Sequence, residues 1–268
     1  MKQTLVITGA SGSIATAIRP LLAVAGRVVR LVDMTPPEDI REHESFVQAS
    51  ITDASAMEAA LSGADALIHL AGHRSERPWN EILETNINGS CVVLEAAKRT
   101  RVARVLMASS IHAVGYATVA ETRRVEVLPP RPDTYYGVGK VATEALASLY
   151  ADRFGMSIVS ARICAFLNEP GMGRSAAAWC SPGDMTRLVE ATVALSEPGH
   201  HIVWGVSSNF PDWFPLDVGQ RMGFNPVDDS AEWADAHPGA RASIPSDKSR
   251  LAGVFIDDEH PLGERWSR

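Results

Sequence analysis

Tyr136 and Lys140 stand four residues apart in the run Tyr136-Gly137-Val138-Gly139-Lys140. On a helix that spacing puts both side chains on one face. A free phenol titrates at about 10 and is a poor base near neutrality. An ammonium beside it favours the phenolate, so the sequence predicts a lowered tyrosine pKa. Such a tyrosine can take the proton of a substrate hydroxyl. By itself the pair is also what an amphipathic helix produces by chance.

A second constellation supplies a partner for that proton transfer. Thr8-Gly9-Ala10-Ser11-Gly12-Ser13-Ile14-Ala15 follows a β-rich run and opens a helical pattern. Gly9 permits a tight turn, Gly12 lets backbone approach a pyrophosphate, and Ala15 is small enough for close helix packing. The helix N-terminus then turns free N–H groups and a partial positive charge toward phosphates. Two spaced glycines are a weak signal, since any strand-to-helix turn can use them. Asp33 strengthens it: it closes the second β-rich run, roughly 20 residues beyond the glycines, where a carboxylate bonds both ribose hydroxyls. That carboxylate repels a 2′-phosphate, and Met34-Thr35-Pro36 follow it with no arginine, so the pattern favours NAD over NADP. An oxidised nicotinamide ring would favour the Tyr136 phenolate further. Lys140 can also hold the nicotinamide ribose while hydride leaves the substrate for the cofactor.

These residues need a scaffold, and the chain supplies one. Residues 5–8, 27–32, 45–49, 64–70, 104–110 and 157–163 read as strands, and 13–25, 54–61, 80–100 and 135–154 as helices. The strands are apolar without clean alternation, which means burial on both faces. Their alternation with helices means βαβ units, a parallel sheet and right-handed crossovers. The fold class expected is α/β, a doubly wound Rossmann-like parallel sheet. The last third is less regular. Gly171-Met172-Gly173 and Ser181-Pro182-Gly183-Asp184 read as loops, 185–196 as a helix and 201–206 as a strand. One domain over 1–268 is expected, with 1–165 as dinucleotide-binding core and 166–268 as a small C-terminal substrate cap and tail.

Composition sets the outer limits. With 268 residues, 46% of them hydrophobic, the chain can bury a sizeable core. Its 25 basic residues are outnumbered by 32 acidic ones, the opposite of a nucleic-acid or anionic-membrane binder. Cys91, Cys164 and Cys180 are odd in number and widely spaced, and with the histidines they suggest no metal site. No apolar run approaches a membrane span and no signal-peptide pattern opens the chain. A cytoplasmic protein is the expectation.

The order and spacing of Gly9-x-x-Gly12, Asp33, Asn86-Ile87-Asn88-Gly89, Ser109-Ser110 and Tyr136-x-x-x-Lys140 resemble the extended short-chain dehydrogenase/reductase family, the NAD-dependent epimerase/dehydratase-like group. The resemblance covers roughly residues 3–165. It implies NAD as cofactor and a Ser110–Tyr136–Lys140 site with Tyr136 as acid/base. It also implies cofactor contacts from Gly9, Gly12, Ser13, Ile14, Asp33, Met34, Ser50, Ile51, Leu70, Ala71, Gly72, Tyr136 and Lys140. Asn86 joins them, supporting the active-site helix or a water relay.

A closer resemblance, running nearly end to end, is to the bacterial uronate dehydrogenases. It rests on His69-Leu70, Arg77-Pro78-Trp79-Asn80, Ala108-Ser109-Ser110-x-His112, Gly115-Tyr116, Arg131-Pro132-Asp133, Glu169-Pro170, Arg174, Trp179, Val203-Trp204-Gly205 and Gly223-Phe224-x-Pro226. That family implies oxidation of the C1 hemiacetal of a hexuronate to an aldarolactone, with Arg174 holding the carboxylate and homo-oligomeric assembly. Substrate contacts would come from Arg74, Ser75, Ser110, Ile111, His112, Ala165 and Arg174. Several of these depart from the pattern. Ile111 stands where these enzymes often have Asn, Ala165 replaces a Ser, and His73-Arg74-Ser75 replaces a smaller segment. Ser50 replaces an Asp near adenine, and Gly139 a common Ser. Lost polar contacts change discrimination, and Arg74 adds a cation. The substrate is therefore expected to be a small anionic sugar, a glucuronate- or galacturonate-like hexuronate. A sulfonated or neutral hexose is the alternative. Two other classes stay open: a non-catalytic dinucleotide sensor, and an epimerase or lyase that retains its NAD. The short stretch after the sixth strand argues against a sugar nucleotide.

Overall fold

The structure is a computed structural model, and it describes residues 3–266. Met1, Lys2, Ser267 and Arg268 lie outside the described residues.

Short apolar runs form the strands β1 (Gln3–Thr8), β2 (Arg27–Asp33), β3 (Glu44–Gln48), β4 (Ala66–His69), β5 (Arg104–Ser110) and β6 (Ser157–Ile163). The connecting helices are α1 (Ser13–Ile18), α2 (Ala54–Leu61), α3 (Trp79–Glu81), α4 (Gly89–Arg99), α5 (Val119–Thr122) and α6 (Tyr135–Phe154). After β6 come β7 (Ala165–Phe166), α7 (Arg174–Ala177), β8 (Trp179–Cys180), α8 (Pro182–Ala194) and β9 (Gly199–Gly205). Seven strands pair in parallel in the order β3-β2-β1-β4-β5-β6-β9. The order in which strands are added reverses between β1 and β4, and such a switch point opens a crevice at the carboxyl ends of the strands. Within 166–268, α8 and β9 belong to the sheet layers, while β7 and β8 form a separate two-stranded ribbon.

Side chains from alternate faces of the strands feed two cores. Ile7, Leu31, Ile68, Leu106 and Val159 meet Ile18 of α1 and Leu188 of α8. Val6, Val32, Leu67, Val105 and Ile158 meet Met57, Val93, Leu94 and Ala147 on α2, α4 and α6. A third cluster joins Ile111 and Val114 to Trp204, Trp213, Phe214 and Leu251. Among the described residues no helix is long and apolar enough to cross a membrane.

Four expected elements keep their predicted bounds: α2, β5, α6 and β6. Others shift for physical reasons. The helix expected over 13–25 stops at Ile18, one residue before Arg19-Pro20, because proline donates no backbone bond. The helix expected over 80–100 is α3 and α4 joined by a π-helical turn, Ile82–Asn88. Such wide turns are rare and cluster at functional sites. The helix expected over 185–196 starts earlier, because Ser181 accepts from the Asp184 amide at 2.8 Å and Pro182 occupies the first turn.

On the helix that carries Tyr136, Glu144 binds Arg162 of β6 through two bonds of 2.9 and 2.8 Å and accepts from Ser109 of β5 at 2.6 Å. Arg162 is 1% exposed, so its charge depends on this partner. Glu144→Ala should destabilise the fold by about 3–5 kcal/mol, because it leaves a buried cation unpaired. Urea unfolding midpoints measure this, and an unchanged midpoint would contradict the pairing.

Candidate active site

Two cavities open at the switch point. The first, about 430 Å³, is lined by Gly9, Gly12, Ser13, Ile14, Asp33, Met34, Ser50, Ile51, Leu70, Ala71 and Gly72. These are the expected cofactor residues except Asn86, Tyr136 and Lys140. Gly9 has φ +73, and a Cβ there would stand 2.7 Å from the Ala71 amide nitrogen. Only glycine brings the loop this near β4. Asp33 is aimed by the same loop: its carboxylate accepts from the Ser11 amide at 3.0 Å and the Thr35 amide at 3.2 Å. A groove with bare backbone at one point and an acidic hydrogen-bond acceptor at its end fits an extended dinucleotide with an unphosphorylated ribose.

Asn86 lines neither cavity. It is buried on the π-helical turn, where its Oδ1 accepts from the His73 amide at 2.8 Å and its Nδ2 donates to the His73 carbonyl at 3.0 Å. Both ends of its amide are thus used to hold the 72–74 segment. Ser75 also faces neither cavity, and its hydroxyl accepts from Arg77 at 3.1 Å.

The second cavity is about 880 Å³, continuous with the first through Ser13, Ile14, Leu70, Gly72, His73 and Arg74, which line both. It gathers Ser110, Ile111, His112, Tyr136, Lys140, Ala165 and Arg174. Ser110 ends β5. Tyr136 and Lys140 project from one face of α6, as their spacing predicts, and the Lys140 Nζ lies 5.3 Å from the Tyr136 ring centroid. Nζ donates to the Ala108 carbonyl at 2.6 Å.

In the protein alone the phenol does not show the lowering expected with both lysine and nicotinamide beside it. Burial pushes the Tyr136 phenol up to about 12; a hydrogen bond with Ser110 offsets part of the rise and the Asp133 carboxylate adds to it. Burial also pushes Lys140 down to about 8, against the pull of Glu144. Ser110 is a side chain that favours phenolate here.

His112 is oriented from outside the cavity. Its Nδ1 lies 2.7 Å from Asp133 Oδ2. A carboxylate only accepts, so Nδ1 carries the proton. The imidazole meets Tyr136 edge-on at 5.8 Å and Phe255 at 4.9 Å between centroids. Arg174 starts α7, donates to the Leu251 carbonyl and lies 5.9 Å from the Phe255 ring. Ile111 and Ala165 give this wall an apolar character. Sequence reasoning missed Phe255, Val254, Ile256 and Met172 as cavity walls; they come from irregular segments with no periodic signal.

The model of the NAD dependent epimerase/dehydratase family matches residues 5–179. The chain belongs to that family. It is 36% identical to the uronate dehydrogenase of Pseudomonas syringae pv. tomato over 87% of this chain and 86% of that one. It is 33% identical to the NAD-dependent glucose-6-phosphate dehydrogenase of Haloferax volcanii, over 87% and 96% of the two chains. A mutant uronate dehydrogenase from Agrobacterium tumefaciens, solved complexed with NAD, superposes with a TM-score of 0.87 at 31% identity, covering 98% of this chain and all of that one. For this member of the family, Ser110→Ala removes the one hydroxyl that favours phenolate. Turnover near neutral pH should fall by about 10²–10⁴-fold. The pH at half-maximal kcat/KM should move upward, which a pH–rate profile reads directly.

Proposed function

We propose that this protein is an NAD-dependent dehydrogenase that oxidises the C1 hemiacetal of a hexuronate to the aldarolactone. The observation that carries the reading is one cavity holding Ser110, Tyr136, Lys140 and Arg174, open at one end to the dinucleotide groove that ends at Asp33. The uronate dehydrogenases among its relatives support the same activity.

Gly9, Gly12, Asp33 and the 70–72 segment would hold NAD⁺, which when bound supplies the hydride acceptor and a positive charge beside Tyr136. The chain's own residues handle the proton. The Ser110 hydroxyl and the Tyr136 phenolic oxygen bond the C1 hydroxyl, and its proton passes to the tyrosine. Loss of that proton and of the C1 hydride leaves the lactone carbonyl. Lys140 is held by the Ala108 carbonyl and would hold the nicotinamide ribose. Arg174 grips the sugar carboxylate, for which a planar guanidinium is suited. Tail residues 253–256 and Met172 wall the same cavity.

Arg74 lines both cavities, and this favours a second anionic class, sulfonated or phosphorylated hexoses. The named activity of the Haloferax relative is consistent with that class. Steady-state rates across hexuronates, neutral aldoses, sulfo-hexoses and hexose phosphates separate the readings, with NADH absorbance as the signal. Preference for neutral aldoses would overturn the anionic assignment, and absence of net NADH would overturn the dehydrogenase.

Two variants test the residues. Tyr136→Phe should bind NAD⁺ and lose nearly all turnover, and retained activity contradicts its role. Arg174→Ala should raise the KM for a hexuronate by about 10- to 100-fold, the loss of a charged hydrogen bond, while leaving NAD⁺ affinity unchanged.

A further inference from the structure

Glu76 takes no part in the chemistry above, yet its side chain is fully buried. An ionised carboxylate in that position is costly unless strong donors surround it. Three backbone amides do so. Oε2 accepts from Tyr136 at 2.8 Å. Oε1 accepts from Tyr135 at 3.1 Å and from Gly263 at 2.8 Å.

The first two amides open α6. The first turn of a helix leaves its N–H groups without intrahelical partners, and negative charge is favoured there. Thr134 caps the Gly137 amide at 2.9 Å, so Glu76 and Thr134 together fix the turn from which Tyr136 projects.

The third amide lies in the C-terminal tail. Gly253, Val254, Phe255 and Ile256 of that tail line the cavity of the reacting residues. Phe255 stacks on Trp266 at 5.3 Å, and Arg265 binds Glu81 at 2.5 Å. Gly263 itself has φ +77, and a Cβ there would sit 3.1 Å from the Tyr135 ring. The tail is thus pinned against the start of α6 at a position that only glycine fills without strain.

We infer that Glu76 is a positioning residue with two outputs: it seats the turn that carries Tyr136, and it latches the tail that walls the sugar end of the cavity. This rests on the reading of that cavity as the sugar site.

The test compares Glu76→Gln and Gly263→Ala in the full chain. Readouts are sugar KM, kcat, NAD⁺ affinity by fluorescence, and hydrogen exchange of the tail amides. A glutamine offers one accepting oxygen, so at least one amide loses its partner. Glu76→Gln should raise sugar KM and lower kcat by about tenfold each, with NAD⁺ affinity held within about twofold. Gly263→Ala leaves the α6 amides bonded, so it should raise sugar KM and leave kcat near wild type. Both variants should speed exchange over 253–266. If either variant folds and binds NAD⁺ while tail exchange and sugar KM stay at wild-type values, the latch is wrong. If Glu76→Gln fails to fold, Gly263→Ala decides alone. Should wild type oxidise no hexuronate, the proposed activity falls, while tail exchange and NAD⁺ affinity still judge the latch.

Discussion

Burial pulls two neighbouring groups in opposite directions, and much of the structure answers to that. The Tyr136 phenol is driven toward about 12 and the Lys140 ammonium toward about 8. Each is pushed toward its neutral form by the same loss of water. A dry site strengthens every interaction inside it, but it makes each charge depend on specific donors and acceptors. Hence the Ser110 bond to the phenol, the Ala108 carbonyl on the ammonium, and the Glu144–Arg162 pair one turn behind Lys140.

The same constraint explains how tightly α6 is held. Its first turn is bound by Glu76 and Thr134, its middle by Ser109 and Arg162 through Glu144. His112, locked by Asp133, sits edge-on to the tyrosine ring. A side chain whose protonation is set by a few contacts must keep them at fixed distances, so its helix is fastened at several points along its length.

The parts of this arrangement legible in the sequence are those with short-range signals. The Thr8–Ala15 loop, Asp33 at a strand end and the Tyr136–Lys140 spacing each have a local mechanism, and they fall together in the fold. The strands and helices around them follow from apolar runs and periodicity. What escaped was long-range. The tail wall at 253–256 lies far along the chain in irregular structure. Glu76 reads as an ordinary charged residue until Gly263 is brought to it. The expected roles of Asn86 and Ser75 ran ahead of geometry: spacing places a residue near a site but does not say which way its amide or hydroxyl is used. The upward push on the tyrosine pKa was out of reach for a similar reason, since spacing reveals the nearby cation but not the extent of burial.

The 72–74 segment borders both cavities and is held by the amide of Asn86. A shared wall is one route by which two ligands become thermodynamically dependent on each other. Order that one ligand imposes on this segment need not be imposed again by the second. Any resulting gain is mutual: the factor by which dinucleotide improves sugar affinity equals the factor by which sugar improves dinucleotide affinity. A single asparagine on a widened helical turn thereby holds the wall on which any such mutual gain would depend.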